Sequence, residues 1–327
     1  MSVESAKLSS RWTSLDSDQV FVIVSRLIAL ALLVTTLSVL SEYFLTWSNL
    51  INVLRQASLQ FLMSAGMTIV VLTAGIDLSI GAVLGLSACI SASLISSGHV
   101  GLGIASALIA GAACGIVNGA IVTIARIPPF IATYGMLWIA FGLGYVFMKG
   151  EVIYGLPEHF RFIGAGFVGF LPVPVIVAAV LLVVLHFVLH KTVLGRAIYA
   201  IGGNPDAARL SGMPVTRRLV TVYALSGFLA GFAALVVIAR VNAADSGLGE
   251  DLLLPAIAAV CLGGTSLFGG MGGIMGTAVG SLILALIVNG MNLLGIQTFW
   301  QSGVMGAIIL ISVLVDQLGG RRLAREH

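Results

Sequence analysis

Residues Pro172–His190 read PVPVIVAAVLLVVLHFVLH, and only then does a charge arrive, at Lys191. A helix needs about 20 apolar residues to cross the hydrocarbon of a bilayer, and this run supplies them without one carboxylate, ammonium or guanidinium. Comparable runs lie at 20–41, 50–74, 78–97, 101–124 and 130–148 before it, and at 219–241, 252–268, 272–291 and 298–317 after it. The whole chain agrees with the stretch: of 327 residues, 59% are hydrophobic and 9% charged, with a mean hydropathy of +1.11. Soluble domains carry about 25% charged residues, so a water-soluble enzyme is excluded. The sequence predicts an all-α polytopic membrane protein of about ten transmembrane helices. Its parts are an N-terminal tail at 1–19, a transmembrane domain at 20–317 and a C-terminal tail at 318–327, with no room for a large domain outside the membrane.

Glycine numbers 40, an enrichment expected where helices approach closely in lipid. Gly111, Gly115 and Gly119, like Gly272, Gly276 and Gly280, recur every four residues and predict helix contacts. Cys89, Cys114 and Cys261 lie within apolar runs and form no metal or redox spacing. His186 and His190 stand at i, i+4 without a third ligand nearby, so no metal site is expected.

An even number of spans puts both termini on one side, and basic residues decide which. On that side fall Lys7, Arg11, Arg26, Arg126, Lys191, Arg196, Arg209, Arg217, Arg218, Arg321, Arg322 and Arg325; opposite are Arg55, Lys149, Arg161 and Arg240. Both termini are expected in the cytoplasm. Two five-helix halves would then run in opposite directions, and short echoes favour an inverted repeat: Gly75-Ile76-Asp77-Leu78 with Gly249-Glu250-Asp251-Leu252, and Ile116-Val117-Asn118-Gly119 with Ile287-Val288-Asn289-Gly290.

The chemistry that the spans lack is equally informative. Ionisable groups cost roughly 2.5 to 3.5 kcal/mol at a bilayer centre, and carriers driven by ions or protons keep them for that work. Most of these spans have none. No nucleophile with a base is legible within them. The three lysines follow Ala6, Met148 and His190, so none closes a phosphate-binding loop, and any ATP must be bound by a separate chain. A net charge of +3 without basic–aromatic runs gives no reason to expect nucleic acid.

The longest connection on the terminal side, 191–218, contains its own helix signals. Asn204 suits a cap, Pro205 the first turn, Asp206 the positive helix end and Gly212 the stop, predicting a short helix at 205–211. Its Ala207 and Ala208 beside Arg209 form a surface suited to a partner's groove, or an ordinary connection.

At this point several ordered motifs resemble a known family. Gly75-Ile76-Asp77-Leu78-Ser79-Ile80-Gly81, the loop Gly202-Gly203-Asn204 to Gly212, Ala256-Ile257-Ala258-Ala259-Val260 followed by Leu262-Gly263-Gly264-Thr265-Ser266-Leu267-Phe268-Gly269-Gly270, and Asn289-Gly290-Met291-Asn292-Leu293-Leu294-Gly295 with the closing Asp316 look like permease subunits of ribose-type bacterial ABC importers. The resemblance covers residues 20 to 317. It implies a type II importer permease in the inner membrane, paired with a second copy or a paralogous permease. A cytoplasmic ABC ATPase would hold ATP and magnesium, a periplasmic sugar-binding protein would deliver a monosaccharide, and this chain would carry no cofactor. Gly202, Gly203, Asn204, Pro205, Asp206, Ala207, Ala208, Arg209 and Gly212 would form the coupling loop. Where many relatives show an acidic-Leu-Asp-Ala sequence, this chain has Glu250-Asp251-Leu252-Leu253-Leu254-Pro255-Ala256, and the sugar stays open.

Uncharged polar groups in apolar helices are candidates to line the path: Gln60, Ser64, Thr68, Asn118, Tyr134, Asn289 and Asn292. Interhelical hydrogen bonding accounts for the asparagines equally well. Asp77 either caps the third span or contacts the gate or ATPase. The competing functions are an ion-coupled secondary transporter and a non-transporting membrane scaffold.

Overall fold

The computed structural model describes residues 17–323. Lys7, Arg11, Arg325 and most of the expected N-terminal tail lie outside them. Each of the ten apolar runs contains a helix: α1 (Ser17–Leu40), α2 (Trp47–Val71), α3 (Ile80–Ser96), α4 (Val100–Thr123), α5 (Pro129–Met148), α7 (Val173–Lys191), α10 (Val215–Val241), α11 (Leu253–Leu262), α12 (Ile274–Leu293) and α13 (Thr298–Leu323). Among the described residues, three shorter α-helices accompany them: α6 (Glu158–Ala165), α8 (Val193–Gly203) and α9 (Pro205–Leu210). The last helix runs through 318–323, which the sequence assigned to the tail.

Among the described residues, five helices, α4, α5, α7, α10 and α12, are long and apolar enough to cross a membrane. The eighth expected span is shorter than its run. α11 has 10 residues, about 15 Å of helix and half a bilayer, because Gly263 and Gly264, the latter at φ +67°, turn the chain after Leu262.

The centre of the bundle is α10, which buries 78% of its most apolar stretch, against 22% for α4 and α7 and 33% for α5. Lipid tails are as apolar as leucine, so helices gain by close van der Waals approach and not by escape from water. That approach is visible along α4. A Cβ on Gly111 would strike the Gly227 carbonyl, one on Gly115 the Tyr223 carbonyl, and one on Gly119 would lie 2.7 Å from Val220 Cα. Gly227 meets Gly111 in return, and Gly231 meets Ala107. The expected contact role of the first glycine series is therefore seen. In the second series Gly280 meets Ala259 and Gly276 meets Gly263, whereas Gly272, at φ +112°, belongs to the turn before α12.

Two antiparallel pairs interrupt the helical pattern. β1 (Ile153–Tyr154) pairs with β4 (Ala243–Ala244), joining two distant loops, and β2 (Phe167–Val168) pairs with β3 (Leu171–Pro172). Gly249 packs backbone to backbone on Gly81, so the irregular segment that precedes α11 touches the first turn of α3.

Candidate functional site

The connection after α7 begins with Thr192, whose Oγ1 donates to Val188 O at 2.6 Å and accepts from the Gly195 N–H at 3.2 Å. That cap turns the chain into α8, which buries Gly195, Ala197, Ile198, Ile201 and Gly202. At its end α8 meets the two glycine-bearing bends of the core. A Cβ on Gly202 would strike Leu72 O and lie 2.5 Å from Gly270 N; the Gly270 N–H itself donates to Leu72 O at 3.0 Å. Gly269, at φ +86°, leaves its missing Cβ position 2.7 Å from Ala74 N, and Tyr199 donates to Gly272 O at 3.0 Å. The end of α2, the end of α8 and the turn before α12 thus form one joint of backbone on backbone.

Asn204 then caps α9 as its residue type predicts, Oδ1 accepting from the Asp206 N–H at 3.1 Å and the Ala207 N–H at 2.9 Å. Gly212, at φ +79°, ends the helix, and the Met213 N–H reaches back to Ala208 O at 3.1 Å. The side chains divide differently from the sequence reading. Ala208 is 6% exposed and packs with Ile201 and Val215, so it faces the body of the protein and does not share an outer surface with Ala207 and Arg209. The outer face holds Asp206, Ala207, Arg209 and Leu210, with Leu210 90% exposed. Arg209 Nη1 stands 3.6 Å from Asp206 Oδ1, a solvated pair worth little on its own. Leu210 escaped the sequence reading. Its signal was a large apolar residue two positions before the stop at Gly212, on the face opposite the one that buries Ala208.

Asp77 is 1% exposed and ties together helices that are distant in sequence. Its Oδ1 accepts from the Ser79 N–H at 3.1 Å and Ser79 Oγ at 2.6 Å, while Oδ2 accepts from Ser226 Oγ at 2.9 Å on α10. Asn118 of α4 donates to Ser79 Oγ at 2.8 Å. Ser79 stands at the N-cap position of α3 without a side-chain cap of its own, and the Asp77 carboxylate takes the N–H of that residue. It also holds α3 against α10. Thr133 Oγ1 accepts from the Leu78 N–H at 3.1 Å, fixing the same bend to the start of α5.

The path candidates fall into two sets. Ser64 and Thr68 are fully buried, and Asn118 and Asn289 are 1% and 4% exposed. Thr68 Oγ1 meets Thr277 Oγ1 at 2.7 Å, and Asn289 exchanges amide hydrogen bonds of 2.7 and 3.1 Å with Asn49, so these groups join helices of one subunit. Gln60, half-buried, donates to Ser64 Oγ at 3.3 Å. Asn292, exposed, accepts from Gln301 Nε2 at 2.7 Å, and Tyr134 is 47% exposed. The structure does not bring the seven together.

The sequence that builds this fold has clear relatives among known proteins. Residues 49–313 match the family described as branched-chain amino acid transport system / permease component. The chain belongs to that family. The permease is 43% identical to the ribose import permease protein RbsC of Escherichia coli (strain K12) over 295 residues, covering 89% of this chain and 92% of that one. It is 43% identical to RbsC of Bacillus subtilis (strain 168) over 293 residues, 89% and 91% of the two chains. With the D-allose transport system permease protein AlsC of Escherichia coli (strain K12) it shares 39% over 294 residues, 88% and 90%. No solved structure matches it. The resemblance read from the motifs is borne out, and the permease is the membrane component of a transport system.

Proposed function

We propose that this permease is the translocating subunit of an ATP-driven importer of a monosaccharide or similar small neutral solute in the bacterial inner membrane. The observation that carries the reading is α9: a capped helix that presents Leu210 at 90% exposure and is continuous, through α8, with the Gly202–Leu72–Gly270 joint. An exposed leucine on a rigid helix fits a groove in another protein. A separate ABC ATPase would press on this face, with ATP and magnesium held there. Displacement of α8 would move the end of α2 and the start of α12, where Thr68 meets Thr277, with Ser64 and Gln60 one and two turns further along α2. Because a ligand shifts a two-state equilibrium only by its differential affinity, ATP must favour one gate conformation over the other through this contact.

The remaining assignments rest on the same reading. All ten helices would take part in the membrane domain at 20–317, with α11 entering only part way, and both termini and the 191–218 loop would be cytoplasmic. The contact of Gly249, ahead of α11, with Gly81, in the first turn of α3, supports an inverted repeat of two five-helix halves, in which interrupted segments meet near the middle. A sugar-loaded periplasmic binding protein would dock on 149–171 and 241–251, two segments that the β1–β4 pair holds as one surface. A second copy or a paralogous permease would complete the path. Ribose, allose and arabinose name the cargo in the relatives, including the L-arabinose ABC transporter permease protein AraH of Azospirillum brasilense. That agrees with the near absence of charge in the helices.

The test is uptake of labelled D-ribose, D-allose and L-arabinose into vesicles containing the permease with its ATPase and binding protein. Uptake should require ATP and persist when ion gradients are collapsed. Concentration of solute by the permease alone, on an ion gradient, would overturn the proposal.

A further inference from the structure

The helix α5 divides its surface three ways. One stripe, Ala132, Met136, Ala140, Gly144 and Met148, is buried in the bundle. A second holds Ile131, Ile139 and Val146, exposed at 59%, 54% and 76%, with Gly135 and Gly142 open between them. A third is aromatic: Phe130, Tyr134 and Trp138 are exposed at 57%, 47% and 61%, one turn apart, with Phe141 beyond. Their ring centroids follow at 6.1, 6.3 and 6.4 Å, the first pair parallel to within 1° and the second at 87°.

Two features of the third face set it apart from a surface bathed in lipid. Tyrosine and tryptophan favour the membrane–water interface, where their polar ends find partners. Trp138 instead lies at the midpoint of α5, about 15 Å from either end. Among the described residues, neither its Nε1–H nor the Tyr134 hydroxyl has a hydrogen-bond partner. An uncompensated donor in hydrocarbon costs several kcal/mol in principle, whereas the adjacent Ile131–Ile139–Val146 face meets lipid at no such cost. A monosaccharide satisfies both parts of the aromatic face at once: its C–H face stacks on the rings and its hydroxyls accept from the indole and exchange with the phenol.

We infer that Phe130, Tyr134 and Trp138 form a stacking track along which the sugar crosses, with Trp138 as its central contact. The inference rests on the function proposed above and adds the residues that handle the cargo. The spacing of the rings lets a sugar engage the next before it leaves the last, so no single contact becomes a trap.

Two measurements in vesicles with the ATPase and binding protein decide it. Trp138→Phe, which keeps a ring, should retain most ATP-dependent uptake of the three sugars. Trp138→Leu should lower uptake by about tenfold, the upper end of what one aromatic contact is worth, while ATP hydrolysis stimulated by the loaded binding protein persists. In a chain with Cys89, Cys114 and Cys261 replaced, Tyr134→Cys should react with a membrane-impermeant thiol reagent and be protected by transported sugar; Ile139→Cys should stay inert. Uptake by Trp138→Leu equal to wild type, or an inert Tyr134→Cys, would overturn the track and assign this face to lipid or to dry packing against another chain. Failure of the wild-type complex to take up any of the sugars would count against the proposed function instead, and the labelling would still decide whether the aromatic face is wet.

Discussion

Gly202 has no room for a side chain, and the consequence can be measured. Gly202→Ala would drive a methyl into Leu72 O and Gly270 N, forcing the joint apart at a cost of about 1–3 kcal/mol, as overpacked cores show. Thermal unfolding should fall accordingly and ATP-dependent uptake with it. Gly203→Ala, with open space around the new carbon, should leave the unfolding temperature unchanged or slightly raised. At Asp77, Leu would strand the Ser79 N–H, the Ser79 hydroxyl and the Ser226 hydroxyl, costing about 1–3 kcal/mol for each donor left unpaired. Asn keeps one carbonyl acceptor and should lose less; a stable Asp77→Asn protein without transport would assign the carboxylate to gating. Leu210→Glu leaves the packing of α9 intact and should abolish co-purification with the ATPase proposed to dock there. Ala208→Glu is the poorer probe, since it buries a charge against Ile201 and Val215. The sequence made the cap at Asn204 legible because its partners lie two and three residues on. The inward turn of Ala208 depends on Val215 and Ile201 in space, and the bond from Ser226 to Asp77 spans a separation no local pattern records.

Among the elements, the apolar runs located ten helices because a span must satisfy every backbone group internally, and length and hydropathy report that directly. The ends were harder. α11 stops at Leu262 since the glycines beyond it turn, although Leu267 and Phe268 further on are apolar. The glycine series on α4 was legible as a contact, but its partner α10 was not, because any helix offering small residues would fit the same stripe. Gly227→Leu should separate these two helices, where the missing Cβ already overlaps the Gly111 carbonyl, and lower the yield of folded protein judged by gel filtration in detergent. The amide pair between α2 and α12 is a milder case. A double-mutant cycle on Asn49→Ala and Asn289→Ala should give a coupling of about 0.6 kcal/mol, typical of polar pairs between membrane helices.

For the molecule as a whole, composition decided between membrane and water, and motif order decided the family. The arrangement that joins surface helix to core required coordinates, since residues 72, 202 and 270 are brought together only by the packing of three separate elements. The contacts among these three residues involve backbone alone and so have no rotamers. Where side chains transmit a push, part of the motion is absorbed as they repack, and substitutions can soften or stiffen the response. Peptide planes in direct contact give nothing away, so a stroke arriving at the loop would reach the far bends at full amplitude. Evolution would then have little freedom to tune the permease at its hinge, and differences in pace among such importers would have to be written in the motor that drives it.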